Sequence, residues 1–289
     1  MVPEQLRIHA RPGLKDARMV LGLSGWMDGG EVSTGTVKCL IRKLEARRLA
    51  EIEPEDFYIY SFPGSMEVSV LFRPYTKIKD GLIRAYRPAA NTFYYSEESK
   101  VILFCGREPN FNWQQYAECV FAVASAFDVT MMYFVGSVAG LVPHTREPRL
   151  FSSVSDEGLK GTLQEYGVRF TNYEGPASIV TLLTKLAGQR GVRMAALVAE
   201  IPAYVQGKNP KCIEAVTRRL AGILGLQIRL EQQRALSEAF ERKLNEIVQD
   251  KQELAKLVHK LEEDYDNEVF DTQMGDLKQW LEQQGIRLD

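Results

Sequence analysis

The sequence is poor in the residue patterns that announce a chemistry. Its 289 residues hold only three histidines, and no pair of them has the HxxxH spacing of a metal site. The four cysteines, Cys39, Cys105, Cys119 and Cys212, stand far apart in apolar stretches and form no CxxC pair. That argues against zinc and against a secreted disulfide framework, and for buried free thiols in a reducing compartment. No GxSxG elbow, P-loop or well-formed GxGxxG occurs, so acyl transfer and the common phosphate-binding loops lack their residues. Positive charge is not in excess either: 36 Lys and Arg face 38 Asp and Glu, a net charge of −2, without a dense basic run. Neither a surface that tracks phosphates nor a nucleic acid partner is therefore expected. Apolar stretches are too short and interrupted to span a bilayer, and the first twelve residues, MVPEQLRIHARP, contain no apolar leader core. The expectation is a cytoplasmic protein without a membrane partner.

What the sequence does contain is material for a core. Hydrophobic residues make up 45% and charged residues 26%, so the chain can bury enough apolar surface to fold throughout. Four nearly unbroken apolar runs, 19–23, 101–105, 131–135 and 195–199, have the look of strands buried on both faces. Helical stripes accompany them: Val37, Leu40, Ile41 and Leu44; then Trp113, Ala117, Val120, Phe121 and Ala124; then Ile179, Leu182, Leu183 and Leu186. Strands alternating with amphipathic helices predict an α/β fold with three layers, α/β/α, around a mainly parallel sheet. Residues 1–230 are assigned to this domain. Within it, residues 57–98 are rich in β-formers and carry Lys79-Asp80-Gly81 between two β-like stretches, which predicts a β-rich insertion with a hairpin.

From Leu230 the composition shifts to Glu, Gln, Lys, Ala and Leu, so residues 231–289 form a helical C-terminal arm. Phe240, Ile247, Leu254 and Leu261 fall seven apart, with Leu244, Val258 and Tyr265 on the complementary position and Lys251 interrupting it. This stripe suits either packing on its own domain or a seam with another chain. Asp250-x-x-Glu253 has the spacing of a capping box, which would split the arm into two helices.

Each apolar run ends in a polar segment, and in open parallel sheets such segments converge on a crevice beyond the strand ends. The first is Ser24 to Gly30, where Asp28 and Gly29 sit in a glycine turn entering a helix. The second, Gly106-Arg107-Glu108-Pro109, places Glu108 at a strand end. The third, Pro143-His144-Thr145-Arg146, carries the most interesting titratable group, His144, between prolines. The fourth holds Glu200 and Tyr204, and Glu174 precedes the neighbouring helix. Convergence of these groups permits two readings. His144 is either an acid/base paired with Glu108, with Arg146 as an anion clamp, or a hydrogen-bonded corner whose arginine ties the loop to Glu108 or Asp28. One histidine among scattered carboxylates is not a metal set, and no metal or cofactor is expected.

The ordered segments Gly25-Trp26 with Asp28-Gly29, Gly106-x-Glu108-Pro109 followed by Trp113, Pro143-His144-Thr145-Arg146, Tyr173-x-Gly175-Pro176 and Ile201-Pro202-x-Tyr204-Val205 resemble the PAC2 family, the proteasome assembly chaperone 2 type proteins and their archaeal and bacterial relatives. The resemblance implies a phosphorylase/hydrolase-like α/β/α fold, self-association into a homo-oligomer and an assembly-chaperone role toward another protein. The leading expectation is a non-enzymatic interaction factor. The alternative is a small-molecule enzyme or sensor, hydrolase/phosphorylase-like or ATP-dependent ligase-like, that uses the crevice.

Overall fold

A computed structural model describes residues 3–61 and 63–283 of the protein. The four apolar runs became its four central strands: β2 (Ala17–Ser24), β7 (Val101–Arg107), β8 (Val129–Gly140) and β11 (Arg193–Pro202). The other strands of the main sheet are β1 (Leu6–Ile8), β3 (Arg47–Ile52), β6 (Asn91–Ser96), β9 (Leu150–Val154) and β10 (Val168–Phe170). The order is β1-β3-β6-β7-β2-β8-β11-β9-β10. The central four are mutually parallel, and β6, β3 and β1 extend one side by antiparallel pairing. On the other side β9 pairs antiparallel with β11, and β10 runs parallel to β9.

Helices cover both faces because every central strand is apolar on both. α3 (Trp113–Ala126) and α5 (Ile179–Gln189) supply Tyr116, Val120, Ile179 and Leu183 to one core, with Met19, Phe104 and Phe134 from the sheet. α1 (Val32–Lys43), α4 (Leu159–Glu165) and α6 (Pro210–Ile223) supply Val37, Leu40, Leu163, Val216 and Leu220 to the other, against Val20, Leu103 and Val135. α5 opens on a reciprocal capping box between Ser178 and Thr181. α6 opens with Pro210 at its first position, and Asn209 Oδ1 accepts from Cys212 N at 3.0 Å.

The expected insertion at 57–98 divides. Its middle is the short helix α2 (Met66–Ser69) and a separate hairpin, β4 (Tyr75–Lys79) with β5 (Leu82–Arg87). Asp80 and Gly81, with φ of 52° and 75°, make its turn in the conformation that favours Asp-Gly. Its last part is β6, a strand of the main sheet, so that stretch belongs to the α/β body. Asn91 opens β6 and is buried; its Oδ1 accepts from Arg107 N at 3.0 Å and lies 2.9 Å from the Tyr58 hydroxyl.

The arm divides at the expected place, into α7 (Glu231–Gln249) and α8 (Gln252–Gln283). Asp250, however, has helical φ and ψ and closes α7, rather than adopting the extended geometry of an N-cap. Most of the apolar stripe turns onto its own domain: Val258 and Leu261 are buried and Phe240, Leu244, Leu254 and Tyr265 half-buried, whereas Ile247 is exposed and its neighbour Val248 is buried instead. Among the described residues no helix is long and apolar enough to cross a membrane.

Candidate functional site at the strand ends

At the end of β2 the backbone turns through Gly25, whose φ of 139° favours glycine, and a Cβ there would lie 2.8 Å from Cβ of Glu108. Glu108 holds this turn: its N–H donates to Ser24 O at 2.8 Å, and its carboxylate accepts from Trp26 N at 3.0 Å. Asp28 holds the next step, accepting from Thr34 N at 3.0 Å and from the Thr34 hydroxyl at 2.9 Å. Burial raises its carboxyl pKa against those hydrogen bonds. Gly29 then packs against β8 and β11: Ser137 Oγ donates to its carbonyl at 2.6 Å, and a Cβ would meet Ile201 at 2.9 Å.

A second group collects where β8 and β11 end. His144 is 3% exposed. The Tyr204 hydroxyl lies 2.8 Å from both its backbone nitrogen and its Nδ1. A single hydroxyl satisfies both contacts by accepting from the N–H and donating to Nδ1, which leaves the imidazole proton on Nε2. That nitrogen lies 3.0 Å from Asn245 Oδ1 on α7, the matching acceptor. Burial lowers the His144 pKa and pushes that of Tyr204 up to about 12, so both are neutral near pH 7. The His144 carbonyl accepts from Lys211 Nζ at 2.7 Å, and Lys211 also pairs with Glu241 of α7 at 2.6 Å.

Arg146 faces α8, not Glu108 or Asp28. Its guanidinium makes a two-pronged contact with Asp266 at 2.8 and 2.7 Å and reaches Glu262 at 3.5 Å. Thr145 donates to Glu262 as well. Glu200 faces Arg149 at 3.7 Å, and burial raises its pKa. Arg149 also pairs with Glu268 of α8 at 2.5 Å and stacks 4.4 Å from the Tyr265 ring centre.

The expected residues therefore form two groups. Asp28, Gly29 and Glu108 shape the turn after β2, while His144, Arg146, Glu200 and Tyr204 meet beyond β8 and β11. Glu108 and His144 share no partner among the described residues. Glu174 lies on the exposed loop before α5. The space between the strand ends and α7, lined by His144, Arg146, Glu200, Asn209, Lys211 and Phe240 among others, is about 10 Å³, room for one water. Lys211, Arg149, Asn245, Glu262, Asp266 and Glu268 complete the site and escaped the sequence reading. All but Arg149 and Lys211 come from the arm, where helical polar positions look like a solvated face.

The chain is thus a three-layer α/β/α protein whose β8 and β11 strand ends are covered by its own C-terminal helices. The PAC2 family model matches residues 22–248, and the chain belongs to that family. No curated protein matches its sequence. A proteasome-assembly chaperone homologue from Mycobacterium tuberculosis is similar in structure, with TM-score 0.73 and 26% identity over 83% of this chain and 99% of that one. A PAC2 family protein from Streptomyces avermitilis gives TM-score 0.71 and 26% identity over 84% and 100%. An archaeal proteasome activator from Pyrococcus furiosus shares the fold at TM-score 0.64 and 20% identity, over 86% and 99%.

Proposed function

We propose that this PAC2 protein is a non-enzymatic, cytoplasmic interaction factor of the assembly-chaperone kind, which self-associates and engages another protein. One observation carries the reading: the space beyond β8 and β11 is small and covered by the arm, while apolar side chains collect on a separate hairpin. On β4 and β5, Thr76 pairs with Tyr86 and Ile78 with Ile83 across a bulge, which sets Ile78, Ile83 and Tyr86 on one face. They are 62%, 71% and 61% exposed. A two-stranded hairpin with an exposed apolar face is marginal alone and gains stability when covered. The similarity to the mycobacterial assembly-chaperone homologue supports the same class. Buried free thiols at Cys39, Cys119 and Cys212 suit a reducing compartment.

Native mass spectrometry of the protein isolated gently from its source cells tests this directly. The expected species is a homo-oligomer carrying a stoichiometric second protein. A species that instead retains a discrete small molecule, with no protein partner, overturns the reading in favour of the crevice.

A further inference from the structure

The interaction between α8 and the body is ionic and confined. Leu261 to Val269 contains five acids, Glu262, Glu263, Asp264, Asp266 and Glu268, and no base. Three of these carboxylates meet arginines of the body. Asp266 and Glu262 engage Arg146, and Glu268 engages Arg149 and Arg169. Tyr265 stacks on Arg149 and donates its hydroxyl to Glu147 O at 2.9 Å. Apolar anchoring of this helix among the described residues comes from Val258 and Leu261, which are buried.

Two features make this contact separable from the fold. Only Asp250 and Lys251 interrupt the helices between α7 and α8, so the hinge is short and lies at one end of the contact. The arginines belong to the body itself: Arg146 and Arg149 lie on the β8–β9 loop and Arg169 on β10, and β9 and β10 hold their place through sheet pairing rather than through α8. The pairs of Arg146 and Arg169, whose side chains are 35% and 30% exposed, are weakened by salt, unlike the apolar cores beneath them, and Arg149, 12% exposed, is screened less.

We propose that Arg146, Arg149 and Arg169 form a docking surface for an acidic helical segment, and that α8 covers it in cis as a displaceable strap. The partner that fits is a protein segment of α8's own chemistry: an apolar residue or two followed within two turns by three carboxylates, two of them four residues apart for Arg146 and one turned toward Arg149 and Arg169. Because α8 is tethered, it competes at a high effective concentration, and an external segment binds well only when α8 is released or outmatched. The inference rests on reading the chain as an interaction factor, but it requires neither the hairpin nor a proteasome, so the two can fail separately.

The test uses the full chain and a fluorescent peptide of residues 252–271. The variant Glu262→Lys/Asp266→Lys/Glu268→Lys turns α8 against the arginines. It is expected to bind the peptide at least about tenfold more tightly than the unaltered chain, since the tethered competitor is gone. Adding Arg146→Gln and Arg169→Gln to that variant, which leaves the Arg149–Glu200 pair in place and offers the lysines no new partner, should abolish the binding. No gain in peptide affinity for the variant, or a gain that survives loss of the arginines, overturns the proposal. A measurement on the unaltered protein stands beside it. On raising salt from about 0.05 to about 0.5 M, amide exchange in α8 should accelerate while that in β8 and β11 does not. Equal protection of α8 and α6 at both salt concentrations overturns the strap.

Discussion

The hydroxyl of Tyr204 lies 2.8 Å from both the backbone nitrogen and Nδ1 of His144, so one oxygen fixes the loop backbone and the tautomer of its side chain. Replacing Tyr204 with Phe removes both contacts and leaves a donor and an acceptor without partners in a site too small to admit more than one water. The expected loss is about 1–3 kcal/mol, read by urea unfolding of Tyr204→Phe against the unaltered chain. A stability unchanged within error would mean that the histidine corner is rearranged or solvated in solution.

The same corner predicts a pH dependence with a definite sign. Burial lowers the His144 pKa below its ordinary 6.5, so below that value the unfolded state binds a proton that the folded state resists. Stability from this group is present above the unfolded pKa and is lost as pH falls through the folded one. Unfolding between about pH 7.5 and pH 5 should therefore show a steeper loss for the unaltered protein than for His144→Gln. Parallel curves would show that His144 titrates normally.

How legible this architecture was in the sequence depended on burial symmetry. β2, β7, β8 and β11 are apolar on both faces, so each appears as an unbroken run. β9 reads LFSSV and β10 only VRF, too short and too mixed to separate from loop, and their place is set by pairing with β11 and with each other. In the site, Asp28 acts on Thr34, six residues on, as a glycine turn suggests, whereas Glu108 holds Trp26 from 82 residues away. His144 likewise takes its second partner from Asn245, 101 residues away, and Arg146 takes Asp266, 120 residues away. Local pattern contains nothing that links such positions.

Gly22 lies where α1 crosses β2 most closely. A Cβ there would stand 2.6 Å from Val37 Cγ2 and 2.8 Å from the Ser33 carbonyl oxygen. The side chain can shift but the helix backbone cannot, because Ser33 Oγ is bound between Leu23 N and the Val135 carbonyl. Gly22→Ala is expected to cost about 1–3 kcal/mol through overpacking. Adding Val37→Ala should recover none of that, since it relieves only the methyl contact and opens a cavity of its own. Full recovery would show that the backbone contact is soft.

Arg149 and Glu200 form a coupled pair inside the strand-end site. Arg149 keeps 12% of its side chain exposed and Glu200 24%, and burial opposes the charge on Glu200. Removing the arginine alone leaves a half-buried carboxylate facing Glu268, so Arg149→Met should be more damaging than Arg149→Met combined with Glu200→Gln. A double-mutant cycle on unfolding free energies should give a coupling of about 0.5–3 kcal/mol. Additive losses would place the two charges in solvent, independent of each other.

The hairpin separates folding from association. Ile78, Ile83 and Tyr86 contribute to neither core, so Ile78→Ser/Ile83→Ser/Tyr86→Ser should leave the unfolding free energy of the α/β body within about 0.5 kcal/mol per site. If the exposed face is what a partner covers, the same variant should lose its assembly in sedimentation velocity or its second protein in native mass spectrometry. Stability and assembly falling together would mean that the hairpin is held by the body. Assembly kept intact would move the interface elsewhere on the molecule, because serine side chains cannot supply the apolar burial that Ile78, Ile83 and Tyr86 would give a partner.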